Sequence, residues 1–154
     1  MHQAYILLGS NINPEINIIK AIEILKTRCK VIRASQIWET EAIGSNGPNF
    51  LNLAVHIETE FDLAQLKQEV LLMIEQELGR IRTFDKFAPR IIDLDTIIFD
   101  NCIIDTSLWT QNFIALPISE IRPDIINPDT NQTLQQTALS FRNSAFATPF
   151  HPKG

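Results

Sequence analysis

The sequence predicts an α+β fold in which an antiparallel sheet carries both long helices on one face. Three observations predict it. Residues 50–60 alternate, with Leu51, Leu53, Val55 and Ile57 on one side and Phe50, Asn52, Ala54, His56 and Glu58 on the other. Residues 14–29 and 62–78 instead repeat their apolar residues at intervals of three and four. The elements run strand, helix, strand, strand, helix, strand, which is the split βαβ order.

The first strand is the apolar run at residues 5–8, closed by a turn at Gly9, Ser10 and Asn11. Asn13 is expected to cap the first helix, with Pro14 at its first position and Glu15 near its positive end. Ile18, Ile22 and Leu25 form the buried stripe, widened by Ile16 and Ile19, and the helix should end near Cys29. Residues 31–40 read as one strand, and residues 41–49 as a loop rich in Gly, Ser, Asn and Pro. His56 is expected to be exposed on its strand. Asp62 caps the second helix, whose core stripe is Leu63, Leu66, Val70, Met73, Ile74 and Leu78, and Gly79 stops it. Glu75 reads as a solvated helix glutamate close to the arginines that follow. Asp100 and Asn101 suggest a hairpin turn, residues 105–111 are irregular, 114–121 and 133–141 are helical, and 142 onward is a surface tail. One face of the sheet would be left free to build a site.

The chemistry is concentrated in residues 79–99, GRIRTFDKFAPRIIDLDTIIF. Asp93 and Asp95 lie two apart on a strand and so point to one side, while Ile92, Leu94 and Thr96 point away, mostly into a core. Paired carboxylates repel, and a hard cation with phosphate co-ligands relieves that repulsion. Arg80, Arg82 and Arg90 suit the same phosphates, because a guanidinium offers phosphate oxygens a rigid fork of donors. The plainer reading is an ion network between those arginines and the two aspartates. Phe50 and Asn52, beside a flexible loop, could grip a planar polar heterocycle, or could be a surface aromatic and a hydrogen-bonded amide.

The chain of 154 residues suits one domain, 1–154, with a sizeable core. The net charge of −5 argues against nucleic acid as a partner. No GxxxxGK or GxGxxG is present, so phosphates would have to be handled by side chains and metal. The two cysteines, Cys29 and Cys102, are expected to stay reduced. No run reaches membrane-spanning length and the first residues do not read as a leader, so a cytoplasmic, unprocessed monomer with no membrane partner is expected.

The segments AYILLGSN (4–11), WETEAIG (38–44), FLNLAV (50–55), ELGRIR (77–82), APRIIDLD (88–95) and FIALPISEIRP (113–123) resemble the 6-hydroxymethyl-7,8-dihydropterin pyrophosphokinase family of folate biosynthesis. The order GRxR then PRxxDLD is highly specific. The resemblance implies a ferredoxin-like βαββαβ fold with C-terminal additions. It implies transfer of the terminal pyrophosphate of ATP to the pterin hydroxymethyl group, with release of AMP. By position, Asp93 and Asp95 would bind two Mg²⁺, Arg80 and Arg90 would hold phosphates, and Arg82 would sit on the catalytic loop beside them. Glu75 matches a position near the ATP. Phe50 and Phe113 match the aromatics that sandwich the pterin, Asn52 the amide that reads its edge, and Thr40 and Ile43 its pocket lining. Phe87, Ala42 and the short loop before Phe50 depart mildly from the family, and one stretch departs more. Residues 105–112 read DTSLWTQN where the family carries Pro-His-Pro and then an arginine, with Gln111 near the arginine position. A pterin- or nucleotide-binding homologue with little turnover is the alternative that this departure implies. A ferredoxin-like RNA-binding module is disfavoured by the acidic balance.

Overall fold

A computed structural model describes residues 1–41, 47–80, 91–142 and 147–150. Among the described residues seven strands form one sheet: β1 (His2–Ser10), β2 (Lys30–Ala34), β3 (Trp38–Thr40), β4 (Phe50–Thr59), β5 (Asp93–Phe99), β6 (Cys102–Ile103) and β7 (Ala147–Pro149). Their order is β6-β5-β1-β4-β3-β7, with β2 also on β4, and every pairing is antiparallel. Helix α1 spans Pro14–Arg28. The second helical rod is built of α2 (Leu63–Gln65), a π-helical segment (Leu66–Leu71) and α3 (Leu72–Glu77). Helices α4 (Asn112–Ile121) and α5 (Leu134–Phe141) follow.

Alternation along the central strand β1 builds two cores. Ala4, Ile6 and Leu8 point to one face, where Ile18 and Leu25 of α1 and Leu66, Val70 and Ile74 of the second rod cover them. Tyr5 and Leu7 point to the other face, together with Ala54 and Ile97, under Ile114, Ala115 and Ile118 of α4 and Leu134 of α5. The expected free face is therefore partly roofed. The 114–121 segment is apolar on nearly all sides, as a helix buried against both sheet and neighbour must be.

Other expectations also need correction. β1 runs through Gly9 and Ser10, which are strand and not turn. The strand expected over 31–40 is two, because Ser35 interrupts it. The Ser35 N–H donates to the Ala54 carbonyl at 2.8 Å and its Oγ accepts from the Ala54 N–H at 2.9 Å, so the side chain stands in for one ladder position. Asn13 occupies the N-cap position in the left-handed region, φ 41°, and makes no side-chain cap. Ile16 and Ile19 are 57% and 55% exposed, because a 100° step per residue carries them off the arc that holds Ile18, Ala21 and Leu25. Met73 is half-buried at the rim, where its Sδ accepts from Arg28 Nη2 at 3.0 Å. His56 is half-buried, stacked on Tyr5 with ring centroids 4.5 Å apart. Residues 105–111 include a 3-10 turn, Thr106–Trp109, capped by Asp105. The expected tail adds β7 to the sheet beside β3. Cys29 and Cys102 are free thiols, and no helix among the described residues is long and apolar enough to cross a membrane.

Asp62 caps the second rod through a capping box, its side chain accepting from Gln65 N while Gln65 Oε1 accepts from Asp62 N. Asp62→Ala should lower the unfolding free energy by about 1 kcal/mol in a urea titration. No change would mean that the rod start is held by packing alone.

Candidate active site

The site begins where the second rod ends. Gly79 adopts φ 86° and closes the helix with paired bonds, Gly79 N to Gln76 O and Arg80 N to Glu75 O, both 3.0 Å. This turn folds Arg80 back over the helix end. Its Nη1 donates to Glu75 Oε1 at 2.6 Å and to Asp93 Oδ1 at 2.7 Å. Glu75 Oε2 accepts from the Leu94 N–H at 3.1 Å, tying the helix to the start of β5. Glu75 is thus buried, not solvated, and it acts as the hub of a helix–strand junction. The π-helical segment precedes it, and on its far side both Ile74 and Glu75 are buried. Burial alone would lower the Arg80 pKa, but the Asp93 and Glu75 carboxylates outweigh it and hold the guanidinium above its usual value.

Asp95 stands beside Asp93, and among the described residues no arginine or lysine forms an ion pair with it. Its outward edge is open to solvent, yet protein thins its hydration on the other sides. That desolvation first, then the Asp93 charge and a hydrogen bond with Asp93, push its carboxyl up to about 7. Among the described residues the ion-network reading applies to Asp93, which is paired with Arg80, while Asp95 has its charge raised in cost by burial and by Asp93. Thr96, expected to point mostly into a core, is half-buried with its Oγ1 enclosed and unpartnered.

Strand register joins these acids to the aromatic and amide residues. Gly9 of β1 pairs with Asn52 of β4 on one side and Asp93 of β5 on the other. Directly opposed residues share a face, so Phe50, Asn52, Asp93 and Asp95 all lie on one side of the sheet. Asn52 is buried and its Nδ2 donates to Thr40 Oγ1 at 2.7 Å. A Cβ on Gly9 would stand 3.0 Å from Asn52 Oδ1, so only glycine leaves the amide undisturbed. Sequence reasoning missed Gly9 by taking it as a turn; a glycine inside a strand signals close approach by a neighbour or ligand. Phe113 is half-buried on the first turn of α4, over the same face of the sheet. Arg82, Arg90 and Ile43 lie outside the described residues.

A cavity of about 800 Å³ opens beside the acids, lined among others by Lys67, Leu71, Leu72, Thr96, Ile104 and Asp105. Among the described residues no group of three or more His, Cys, Asp or Glu could hold a metal alone. Two adjacent carboxylates nonetheless suit Mg²⁺, which commonly keeps waters and takes one or two carboxylates plus substrate phosphates. The unrelieved crowding at Asp95 is what such a cation would remove.

The junction has a measurable consequence. Side-chain exposures of 11% for Arg80, 4% for Glu75 and 18% for Asp93 make it a nearly buried pair of ion pairs. Arg80→Met should cost about 3 kcal/mol of stability at neutral pH by removing the cation that two largely buried carboxylates share, and adding Glu75→Gln should restore part of it. Full stability in Arg80→Met would show that Arg80 does not hold the junction together.

A family model described as 7,8-dihydro-6-hydroxymethylpterin-pyrophosphokinase matches residues 5–123. The chain is 34% identical to the 2-amino-4-hydroxy-6-hydroxymethyldihydropteridine pyrophosphokinase of Aquifex aeolicus, covering 88% of this chain and 90% of the relative. It is 33% identical to the folic acid synthesis protein fol1 of Schizosaccharomyces pombe, of which it spans only 20%. A solved HPPK-DHPS structure in complex with substrates superposes with a TM-score of 0.70 at 14% identity, covering 91% of this chain and 43% of that one. With a family model over most of its length and a relative of nearly equal length, the chain belongs to the 7,8-dihydro-6-hydroxymethylpterin-pyrophosphokinase family.

Proposed function

We infer that this protein transfers the terminal pyrophosphate of ATP to the hydroxymethyl group of 6-hydroxymethyl-7,8-dihydropterin. The hydroxymethyl oxygen bonds to the β-phosphorus, the bond from that phosphorus to the bridging oxygen of the α-phosphate breaks, the hydroxyl proton is lost, and AMP leaves. The observation that carries this reading is the placement of Asp93 between the Glu75–Arg80 junction on one side and the Gly9–Asn52 pair on the other. Two substrates brought together there would meet at the carboxylates.

Each described residue has a role that its surroundings support, and Arg82, Arg90 and Ile43 carry the roles that the family resemblance gives them. Asp93 and Asp95 hold Mg²⁺, with two ions expected. When bound, the metal neutralises phosphate charge and stabilises attacking and leaving oxygens. Arg80, oriented through Nη1 by Glu75 and Asp93, keeps its other nitrogens for phosphate oxygens, and Arg82 and Arg90 add to them. Such transfer needs alignment and charge balance more than covalent chemistry. Glu75 acts on the nucleotide by fixing Arg80. Asn52, oriented by Thr40, reads the polar edge of the pterin. Phe50 and Phe113 stack on its faces, and Ile43 lines the pocket. The strand order β5-β1-β4-β2, with α1 and the second rod on one face, supports a ferredoxin-like core. We read residues 1–154 as one domain that works as a cytoplasmic monomer.

A second reading is a pterin- and nucleotide-binding homologue with little turnover. Residues 105–112 favour it, because this stretch brings Asp105 and no cation to the cavity wall.

The deciding experiment is AMP release from ATP and Mg²⁺ with and without the pterin. Pterin-dependent AMP is expected; saturable pterin binding without AMP would favour the homologue. Asp95→Ala should lower turnover about a thousandfold with an unchanged circular dichroism spectrum. Near-normal turnover would remove Asp95 from the metal site. Because the Asp95 carboxyl is raised to about 7, it is protonated below that value and must lose its proton to bind metal. Mg²⁺ affinity by calorimetry should therefore fall about tenfold per pH unit below 7 and level off above it. Affinity that stays flat through that range would contradict the assignment.

A further inference from the structure

Glu120, on the last turn of α4, accepts hydrogen bonds from the chain on both sides of the break between β2 and β3. Its Oε2 accepts from Trp38 Nε1 at 2.5 Å and from Gln36 Nε2 at 3.3 Å, and its Oε1 accepts from the Gln36 N–H at 3.1 Å. Its backbone carbonyl accepts from Arg33 Nη2 at 2.6 Å. One residue thus gathers donors from three positions across the interruption between β2 and β3. The kink itself is fixed to β4 through Ser35 and Ala54.

The residue held most firmly is Trp38, which is buried against Leu116 of α4 and Ala138 of α5. Trp38 pairs directly with Asn52, and Thr40 with Phe50. All four therefore share the face that carries the acids. Asn52 in turn donates to Thr40. At its other end α4 carries Phe113. The Glu120 carboxylate consequently joins the helix bearing one aromatic to the strand that orients the amide.

We propose that Glu120 is a positioning residue for the pterin end of the site, a clasp that sets α4 and Phe113 against β3 and the Thr40–Asn52 pair. It touches no substrate and acts through Trp38. The inference rests on the pterin assignment above. A carboxylate suits this task because it is acceptor-only and takes several donors at once. An amide in its place would offer one acceptor and turn an N–H₂ toward the Trp38 or Gln36 donors.

Glu120→Gln should weaken equilibrium binding of 6-hydroxymethyl-7,8-dihydropterin about tenfold, the scale of one hydrogen bond to a charged group. The KM for ATP should stay within about twofold, since the acid–arginine junction is untouched. A merely structural role would move both substrates alike or neither. In a Trp109→Phe background, emission from Trp38 alone should change on Glu120→Gln. Trp38→Phe keeps the ring in the core and removes the N–H, so it carries the test if Glu120→Gln fails to fold. Its loss of pterin affinity should be similar, and the double variant should be no worse than either single change. Normal pterin binding in the foldable variant, equal losses for ATP and pterin, or additive losses in the double variant would each overturn the proposal. Wild-type protein that binds no pterin would instead overturn the functional reading, and the Trp38 emission change would still report whether the clasp exists.

Discussion

One guanidinium nitrogen holds two carboxylates that come from different parts of the chain. Arg80 Nη1 lies within 2.7 Å of both Glu75 and Asp93, and the rest of the site depends on this contact. It fixes the helix end to the strand that carries Asp93 and Asp95. It also divides the arginine's charge between two acids, while burial and the Asp93 charge push the neighbouring Asp95 carboxyl up. A buried ion network is weak evidence for stability by itself, since desolvation offsets much of its attraction. Here its value is geometric: one nitrogen holds two acids from two elements in fixed places.

The same economy governs the sheet. β1 is hydrogen-bonded on both edges and packed on both faces, so each of its residues has four neighbours to satisfy. Where that strand reaches the site it uses glycine, because Asn52 leaves no room for a Cβ. The position that lies between the amide and the acids therefore carries no side chain, and it is still strand.

Much of this was legible in residues alone. Alternation over 50–60 and the Asp-x-Asp spacing report local geometry, and the structure preserves both. The helix stop at Gly79 was legible for the same reason. What was hidden depends on partners distant in sequence. Glu75 looks like any helix glutamate until Arg80 folds back and the Leu94 N–H arrives. The break at Ser35 is invisible because a hydroxyl imitates the backbone there. The covering of the second face by α4, and the addition of β7, follow from packing that no period encodes. Roles that fall on Arg82, Arg90 and Ile43 remain sequence readings.

The pairing of β7 with β3 bears on how the molecule comes into being. As a nascent chain leaves the ribosome, Trp38 and Thr40 are made early, while Ala147 and Thr148 come much later. Until they do, β3 has a bare edge of unpaired N–H and C=O groups. The strand that flanks Asn52 is therefore completed only after nearly all other elements exist. In chain order, the pairing that closes this three-residue edge is the last of the sheet's pairings to become possible.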